Sequence, residues 1–118
     1  MNTTAPDLST NPPRSGHEQL GGYAWLARLA DKVRADHAGT AGEYIAYCGL
    51  SKGFLERAGV AQSDFDLFVR NGASDADLVR FFDQHVDDAS RERANTYVLD
   101  EMHEHLVQQD AEEGRAPV

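Results

Sequence analysis

The sequence predicts a single all-α domain of about five helices with one extended loop. Its 118 residues are enough for one globular domain with a hydrophobic core, and 41% of them are apolar. In most segments the apolar residues recur three and four positions apart, which is the period of an α-helix that buries one face. Serines precede several of these segments and glycines follow them, as at helix starts and ends. We therefore place the helical domain in residues 14–111.

The two ends of the chain are predicted to lie outside this domain. Residues 1–13 are polar, contain three of the four prolines and show no periodicity, so we expect a disordered or loosely packed arm. Residues 112–118 look similar and are expected to form a flexible tail. The N-terminus has no basic stretch followed by an apolar one, so no signal peptide is expected.

The first clear helical period begins after Gly22. Gly39 follows the last periodic residue and supplies the expected C-terminal stop. The sequence therefore predicts an opening helix that ends near Gly39. The residues on its apolar face are Tyr23, Leu26, Leu29, Ala30, Val33 and His37, with Trp25 at the edge of that face.

The segment that follows the opening helix has a different composition. Residues 43–48 are rich in aromatic and β-branched side chains and are flanked by Gly42 and Gly49, a pattern typical of an extended backbone. A single short strand has no obvious partner in this chain. We therefore predict an extended loop over residues 43–49 that packs on the helices.

The rest of the chain is predicted to be helical. One helix spans 51–58 and ends at Gly59, and another spans 63–71. The Ser74-Asp-Ala-Asp77 sequence is a cap for a third helix. A long last helix, about 90–111, is predicted from the apolar stripe formed by Val98, Leu99, Met102 and Leu106.

The net charge of −9 is concentrated in the second half of the chain. Residues 1–57 contain six basic and six acidic residues, whereas residues 58–118 contain five basic and fourteen acidic residues. An acidic surface repels phosphate backbones and anionic lipids, so neither nucleic acid nor a membrane surface is an expected partner. The single cysteine, Cys48, cannot form a disulfide within the chain, which favours a reducing cytoplasm as its location.

Five short motifs follow one another in a fixed order through the N-terminal half of the chain. They are Pro13-Arg14-Ser15, Leu20-Gly21-Gly22-Tyr23, Trp25-Leu26-Ala27-Arg28, Asp31-Lys32-Val33-Arg34-Ala35 and Gly39-Thr40-Ala41-Gly42-Glu43-Tyr44. Over about residues 13–82, this order resembles the bacterial family called domain of unknown function 5069. The resemblance implies a fold shared with that family and does not imply any particular activity.

Two positions depart from the pattern of this family. Gly49 stands where a proline is usual, and Ser51 stands where an aspartate is usual. Ser51 still suits the start of a helix. If that aspartate has a chemical role in the family, the resemblance implies that this chain lacks it.

The charged residues of the opening helix have two interpretations. Arg28, Asp31 and Arg34 are spaced three apart, as are ion-paired neighbours on a solvated helix face. In the other interpretation, Arg28, Lys32 and Arg34 gather with Arg14 beside the 43–48 loop. Their cationic groups would then hold a carboxylate or a phosphate.

The loop itself carries a further candidate group. Tyr44 and Tyr47 are amphipathic fillers in one interpretation, with Cys48 a small buried apolar residue. In the other, Cys48 is a nucleophile, activated by a nearby cation or by the N-terminus of the helix that follows it.

We predict a non-catalytic helical module that binds a partner protein or a small anionic ligand near the opening helix and the 43–48 loop. The alternative is a small enzyme that uses Cys48 or Glu43 as its reactive group. The sequence predicts no metal site, because it lacks an HExxH-type motif and has one cysteine, and it predicts no cofactor. A homodimer through the last helix remains open. The predicted ligand-binding residues are Arg14, Arg28, Asp31, Lys32, Arg34, Glu43, Tyr44 and Cys48.

Overall fold

Most of the described chain is α-helical. A computed structural model describes residues 5–115, and within this range six α-helices surround one hydrophobic core. The elements in chain order are β1 (Gln19–Leu20), β2 (Tyr23–Ala24), α1 (Leu26–Ala38), α2 (Gly49–Ala58), α3 (Gln62–Arg70), α4 (Asp75–His85), α5 (Asp88–Thr96), a π-helical segment (Tyr97–Glu101) and α6 (His103–Glu112).

The prediction of an all-α domain of about five helices is right in its helical character, but residues 5–115 contain six α-helices and a small two-stranded sheet. The short strands β1 and β2 pair antiparallel, with Gln19 opposite Ala24 and Leu20 opposite Tyr23. Gly21 and Gly22 both have positive φ, 61° and 87°, which is the backbone of a two-residue hairpin turn. The glycine pair therefore closes a hairpin in front of α1, and α1 begins only at Leu26.

Trp25 connects this hairpin to α1 in an unusual backbone conformation. Its φ of 75° lies in the left-handed region, which bulky side chains rarely adopt. The residue is fully buried, its amide donates to the carbonyl of Gly16 at 3.0 Å, and its indole N–H donates to Ser51 Oγ at 3.0 Å. These contacts hold the residue in a conformation that costs about 1–3 kcal/mol.

The last helix is also different from the prediction. Instead of one helix over about 90–111, α5 ends at Thr96, a π-helical turn follows, and α6 starts at His103. The amide of Met102 donates to the carbonyl of Tyr97 at 3.0 Å, five residues earlier, which marks the π turn. A hydrophobic stripe does not reveal such a turn, because Val98 within it and Leu106 beyond it are both buried.

The predicted extended loop over 43–49 is shorter and more curved than expected. Helix α2 already begins at Gly49, and Cys48 is its N-cap, with φ −70° and ψ 175°. The amide of Tyr44 donates to the carbonyl of Ala41 in a turn. Only turns and coil occur in residues 41–48 of the described chain.

The serine start of α4 is confirmed. Ser74 Oγ accepts from the Asp77 amide at 3.1 Å, while the Ser74 amide donates to Asp77 Oδ2 at 2.9 Å. This reciprocal pair is a capping box. The glycine stops at Gly39 and Gly59 are confirmed as well, since both have positive φ at the C-terminal ends of α1 and α2.

Phe82 of α4 is in contact with aromatic rings from three other elements. The ring of Tyr23 meets it edge-on at 5.0 Å between centroids, and the rings of Phe54 and Phe65 lie 6.1 and 6.2 Å away. Each such pair contributes about 0.5–1.5 kcal/mol beyond its buried area. The hairpin, α2 and α3 therefore converge on α4.

Both ends of the described chain contact the helices. The amide of Leu8 donates to the carbonyl of Thr40 at 2.8 Å, Thr40 Oγ1 donates to the Pro6 carbonyl, and Leu8 is buried. Glu113, in the predicted tail, is also largely buried. Residues 1–4 of the predicted arm and residues 116–118 of the predicted tail lie outside the described residues. Among the helices of residues 5–115, none has the length and apolar character needed to span a membrane.

Replacing Gly53 with alanine is expected to destabilise the fold. A Cβ there would lie 2.5 Å from the hydroxyl oxygen of Tyr97 and 2.6 Å from the ring carbon that bears it, so the Tyr97 ring, or the two elements that pack through it, would have to shift. Overpacking of this kind costs about 1–3 kcal/mol. Urea denaturation followed by circular dichroism measures the free energy of unfolding.

Gly49→Ala is the matched control for this measurement. A Cβ at Gly49, in the same helix, meets no atom within 4 Å, so the expected change is below about 1 kcal/mol. Equal unfolding free energies for the two variants would contradict the packing argument.

Candidate functional site

Helix α1 carries its cations on the inside of the protein. Arg28 is 2% exposed, Lys32 is 3% exposed and Arg34 is 6% exposed. The interpretation of these residues as a solvated helix face is therefore wrong. A buried charge is costly unless it is paired or hydrogen-bonded, so the partners of each cation decide what it can do.

Arg14, Asp31, Arg34 and Asp75 form one network. Arg14 Nη2 lies 3.0 Å from Asp31 Oδ1, and Arg14 Nη1 lies 2.9 Å from Asp75 Oδ2. Arg34 Nη1 lies 2.9 Å from Asp75 Oδ1, and Arg34 Nη2 donates to the carbonyl of Ala73. Burial raises the pKa of Asp75, but the two guanidinium groups outweigh it and hold the pKa below its usual value. This network fastens Arg14 and the start of α4 to α1.

Arg28 and Glu113 form the second pair. Arg28 donates from Nη1 and Nη2 to the two carboxylate oxygens of Glu113, at 2.9 and 2.6 Å. Tyr44 Oη donates to the same carboxylate at 3.0 Å, and Arg115 also contacts it. Burial raises the pKa of Glu113, but the Arg28 guanidinium outweighs this effect, so the pKa lies below its usual value. The carboxylate therefore stays charged at a lower pH than an ordinary glutamate. Both charges of this pair are satisfied by each other.

Lys32 has a different environment from the arginines. Its Nζ lies 3.5 Å from the sulfur of Cys48 and 5.1 Å from the centre of the Trp25 ring. Within residues 5–115, Cys48 is the only polar partner of this amine at hydrogen-bond distance. Burial lowers the pKa of Lys32, and the thiol only partly opposes this effect. The amine is therefore buried beside a thiol and an aromatic face, without a carboxylate partner.

Cys48 is held at the N-terminus of α2. Its sulfur lies 3.5 Å from Ser51 Oγ, and Ser51 in turn accepts the indole N–H of Trp25. Burial raises the pKa of the Cys48 thiol, but Lys32 and hydrogen bonds from Ser51 outweigh it, so the pKa lies below its usual value. A cation and a helix N-terminus are the surroundings that favour a thiolate.

The thiol opens onto a pocket of about 460 Å³ between α1, the 43–48 segment and α6. Ile45 is 68% exposed at this pocket, and Glu43 is exposed there as well. Two buried atoms of its lining residues, Arg28 Nε and Gln109 Oε1, have no hydrogen-bond partner among the described residues. The residues that line it are Arg28, Lys32, Glu43, Tyr44, Ile45, Cys48, His105, Gln109, Glu112 and Glu113.

The pocket unites five of the eight residues predicted for a ligand site. Arg14, Asp31 and Arg34 are not among its lining residues and belong to the first network. The sequence does not reveal the α6 wall, because Glu113 lies in the segment predicted to be a flexible tail, and His105 and Gln109 match no motif. No cluster of three or more His, Cys, Asp and Glu side chains suited to a metal ion occurs within residues 5–115.

The family described as "Domain of unknown function (DUF5069)" matches residues 10–116 of the chain. The chain belongs to this family. The DUF5069 match extends past the motifs of residues 13–82 to include all of α6, so the family domain contains both walls of the pocket. Among curated proteins, none matches the chain.

Replacing Glu113 with glutamine is expected to lower the free energy of unfolding by about 3–5 kcal/mol at pH 7. The variant leaves the guanidinium of Arg28 buried without a countercharge, which is the costly way to break a buried pair. The neighbouring Glu112 is exposed, so Glu112→Gln is the matched control and should change stability by less than about 0.5 kcal/mol. Urea denaturation of both variants measures the difference.

The same pair of variants has an expected pH dependence. The pKa of Glu113 in the folded protein lies below its ordinary value of 4.5, so its contribution is fully present above pH 4.5. It is lost as the pH falls through the lower folded-state pKa. The stability gap between the wild type and Glu113→Gln should therefore close in acid. A gap that stays constant down to the acid transition would show that the charge of Glu113 is not responsible.

Proposed function

We propose that the pocket between α1, the 43–48 segment and α6 is the functional site, and that Cys48 acts there as a nucleophilic thiolate toward a small electrophilic ligand. The observation that carries this proposal is the buried Lys32 amine, 3.5 Å from the Cys48 sulfur and without a carboxylate partner among the described residues. A thiolate is the nucleophilic form of cysteine, and a neighbouring cation stabilises it.

This proposal is the enzyme alternative raised by the sequence, with Cys48 as the reactive group. Three features support it together: the helix N-terminus at Cys48, the hydroxyl of Ser51 and the pocket onto which the sulfur opens. Glu43, the other reactive group considered, lines the same pocket but is exposed to solvent. Burial is what commonly tunes a catalytic carboxylate, so Cys48 is the better candidate.

The thiolate is tested by the rate of Cys48 alkylation with iodoacetamide as a function of pH. Lys32 lies 3.5 Å from the sulfur, and the other charged or titratable groups that share its pocket are the Arg28–Glu113 pair, Glu43, Tyr44, His105 and Glu112. We expect the midpoint of the rate profile in the folded protein to lie below the value of about 8.5 for a free cysteine. Lys32→Met should raise the midpoint, because it removes the cation next to the sulfur.

Lys52→Met is the matched control, since Lys52 is the other lysine of the chain and lies exposed on α2. It should leave the midpoint unchanged. Alkylation that occurs only after denaturation would remove the proposal, as would a Lys32→Met profile identical to that of the wild type. Circular dichroism of each variant verifies that it is folded.

Non-catalytic binding of a small anionic ligand is the second candidate. Of the cations predicted for this role, Arg14, Arg28 and Arg34 are engaged with carboxylates, whereas Lys32 is not. An anion in the pocket would therefore be bound by Lys32. With inorganic phosphate as the probe, this candidate predicts a rise in Tm for the wild type and for Lys52→Met, and none for Lys32→Met. The same rise in all three proteins, or no rise in the wild type, would discard it.

The proposal also includes a cytoplasmic location and a candidate binding partner for the chain. A reducing cytoplasm is the compartment in which Cys48 would remain a thiol. A partner protein or a second copy of the chain stays a prediction, and the apolar side chains that favour it are Ile45 beside the pocket and Val107 on α6, both exposed.

A further inference from the structure

Cys48 is the single cysteine of the chain, and the Lys32 amine and the Ser51 hydroxyl both lie 3.5 Å from its sulfur. We propose that hydroperoxides are the electrophiles of this site, and that oxidised Cys48 becomes joined to Lys32 through a sulfur–nitrogen bond, a sulfenamide. This inference rests on the proposed function, because it requires Cys48 to react as a thiolate. It adds the class of electrophile and a covalent modification site formed by two side chains.

The position of Lys32 carries the argument. A cysteine sulfenic acid is normally trapped by a second thiol or by a nitrogen nucleophile. This chain has no second thiol, so a disulfide within the chain cannot form. The Lys32 amine lies 3.5 Å from the sulfur, and it makes no competing ion pair within residues 5–115. Its flexible four-carbon stem allows the remaining approach.

Two residues that line the pocket each carry one unsatisfied polar atom, and both atoms are covered from solvent. Arg28 Nε is a buried donor and Gln109 Oε1 is a buried acceptor, and neither has a partner among the described residues. Both residues line the pocket onto which Cys48 opens. A hydroperoxide carries an O–H donor and oxygen acceptors in one small molecule, so it can satisfy such atoms once a side-chain movement uncovers them.

The first step forms a sulfur–oxygen bond and breaks the peroxide bond. The Cys48 thiolate attacks one oxygen of hydrogen peroxide, and the other oxygen leaves with the proton of the Lys32 ammonium group, as water. The products are a Cys48 sulfenic acid, one water and a neutral Lys32 amine. Sulfur is oxidised and the peroxide is reduced.

The second step joins the two side chains. The Lys32 amine attacks the sulfenic sulfur and forms the sulfur–nitrogen bond. The sulfenic oxygen leaves as water, with one proton from the amine. Because the first step removes a proton from Lys32, the nucleophile for the second step is generated where it is needed. The burial that lowers the pKa of Lys32 favours the neutral amine in the same way.

A thiol from solution reverses the modification. It attacks the Cys48 sulfur, the sulfur–nitrogen bond breaks, and Lys32 leaves as an amine that takes up the thiol proton. A second thiol attacks the mixed disulfide and restores Cys48. One cycle therefore converts one hydrogen peroxide and two thiols into two waters and one disulfide.

The link is tested by mass spectrometry of the full chain after treatment with hydrogen peroxide, blocking of free thiols under denaturing conditions, and digestion with trypsin. We expect residues 29–34 joined to residues 35–52, at the summed peptide mass less two hydrogens. Reduction with dithiothreitol before digestion should abolish the product. The matched variants are Lys52→Arg, which should keep the link, and Lys32→Arg, which should lose it and retain a sulfenic acid that dimedone labels.

Three results would overturn the inference: oxidation of wild-type Cys48 to sulfenic or sulfinic acid without the link, a link that contains an extra oxygen, and no oxidation at all. If iodoacetamide alkylates folded Cys48 rapidly and the link is absent, the proposed function stands and this inference alone is wrong. If alkylation requires denaturation, the thiolate itself is wrong. The wild-type experiment decides this even where Lys32→Arg does not fold.

Discussion

The burial of the Trp25 indole is the constraint on which both the fold and the pocket depend. Its ring lies against the cations of Arg28 and Lys32, at 5.5 and 5.1 Å, and its N–H donates to Ser51. The left-handed backbone of Trp25 turns the chain from the hairpin into α1. One side chain therefore sets the start of a helix, positions two buried cations and orients the hydroxyl beside Cys48. The cost of its backbone strain is offset by these contacts.

The partners of the buried α1 cations determine which cations only stabilise the fold and which can take part in a reaction. Arg28 and Arg34 meet carboxylates, and a guanidinium whose charge a carboxylate already neutralises attracts an anionic ligand only weakly. Lys32 meets a thiol, which is a weak acceptor when neutral and a strong one when ionised. The charge of Lys32 is thus best satisfied when Cys48 is a thiolate.

Local signals in the sequence predict most helix ends. The burial and pairing of the charged side chains depend on contacts between residues far apart in the chain, and local signals do not predict them. The Ser74 cap and the Gly39 stop depend on neighbours within a few residues, so they were readable. The burial of Arg28 depends on Glu113, 85 residues away, and Arg14 meets Asp75 across 61 residues. No pattern within a helix distinguishes such a cation from a solvated one. The proximity of Lys32 and Cys48 agrees with one of the two interpretations of the α1 cations, the one that gathers them beside the 43–48 loop.

The π-helical segment between α5 and α6 accommodates one more residue than a regular helix would over the same distance. If the same residues formed a continuous α-helix, every side chain beyond them would turn by about 100°. Gln109 and Glu113 would then point away from Arg28, and the pocket would lose its second wall. A relative with a one-residue deletion at this place can build the same wall from an uninterrupted helix. A one-residue deletion at 97–101 in a relative is therefore compatible with an unchanged site. A deletion between this segment and Glu113 is not.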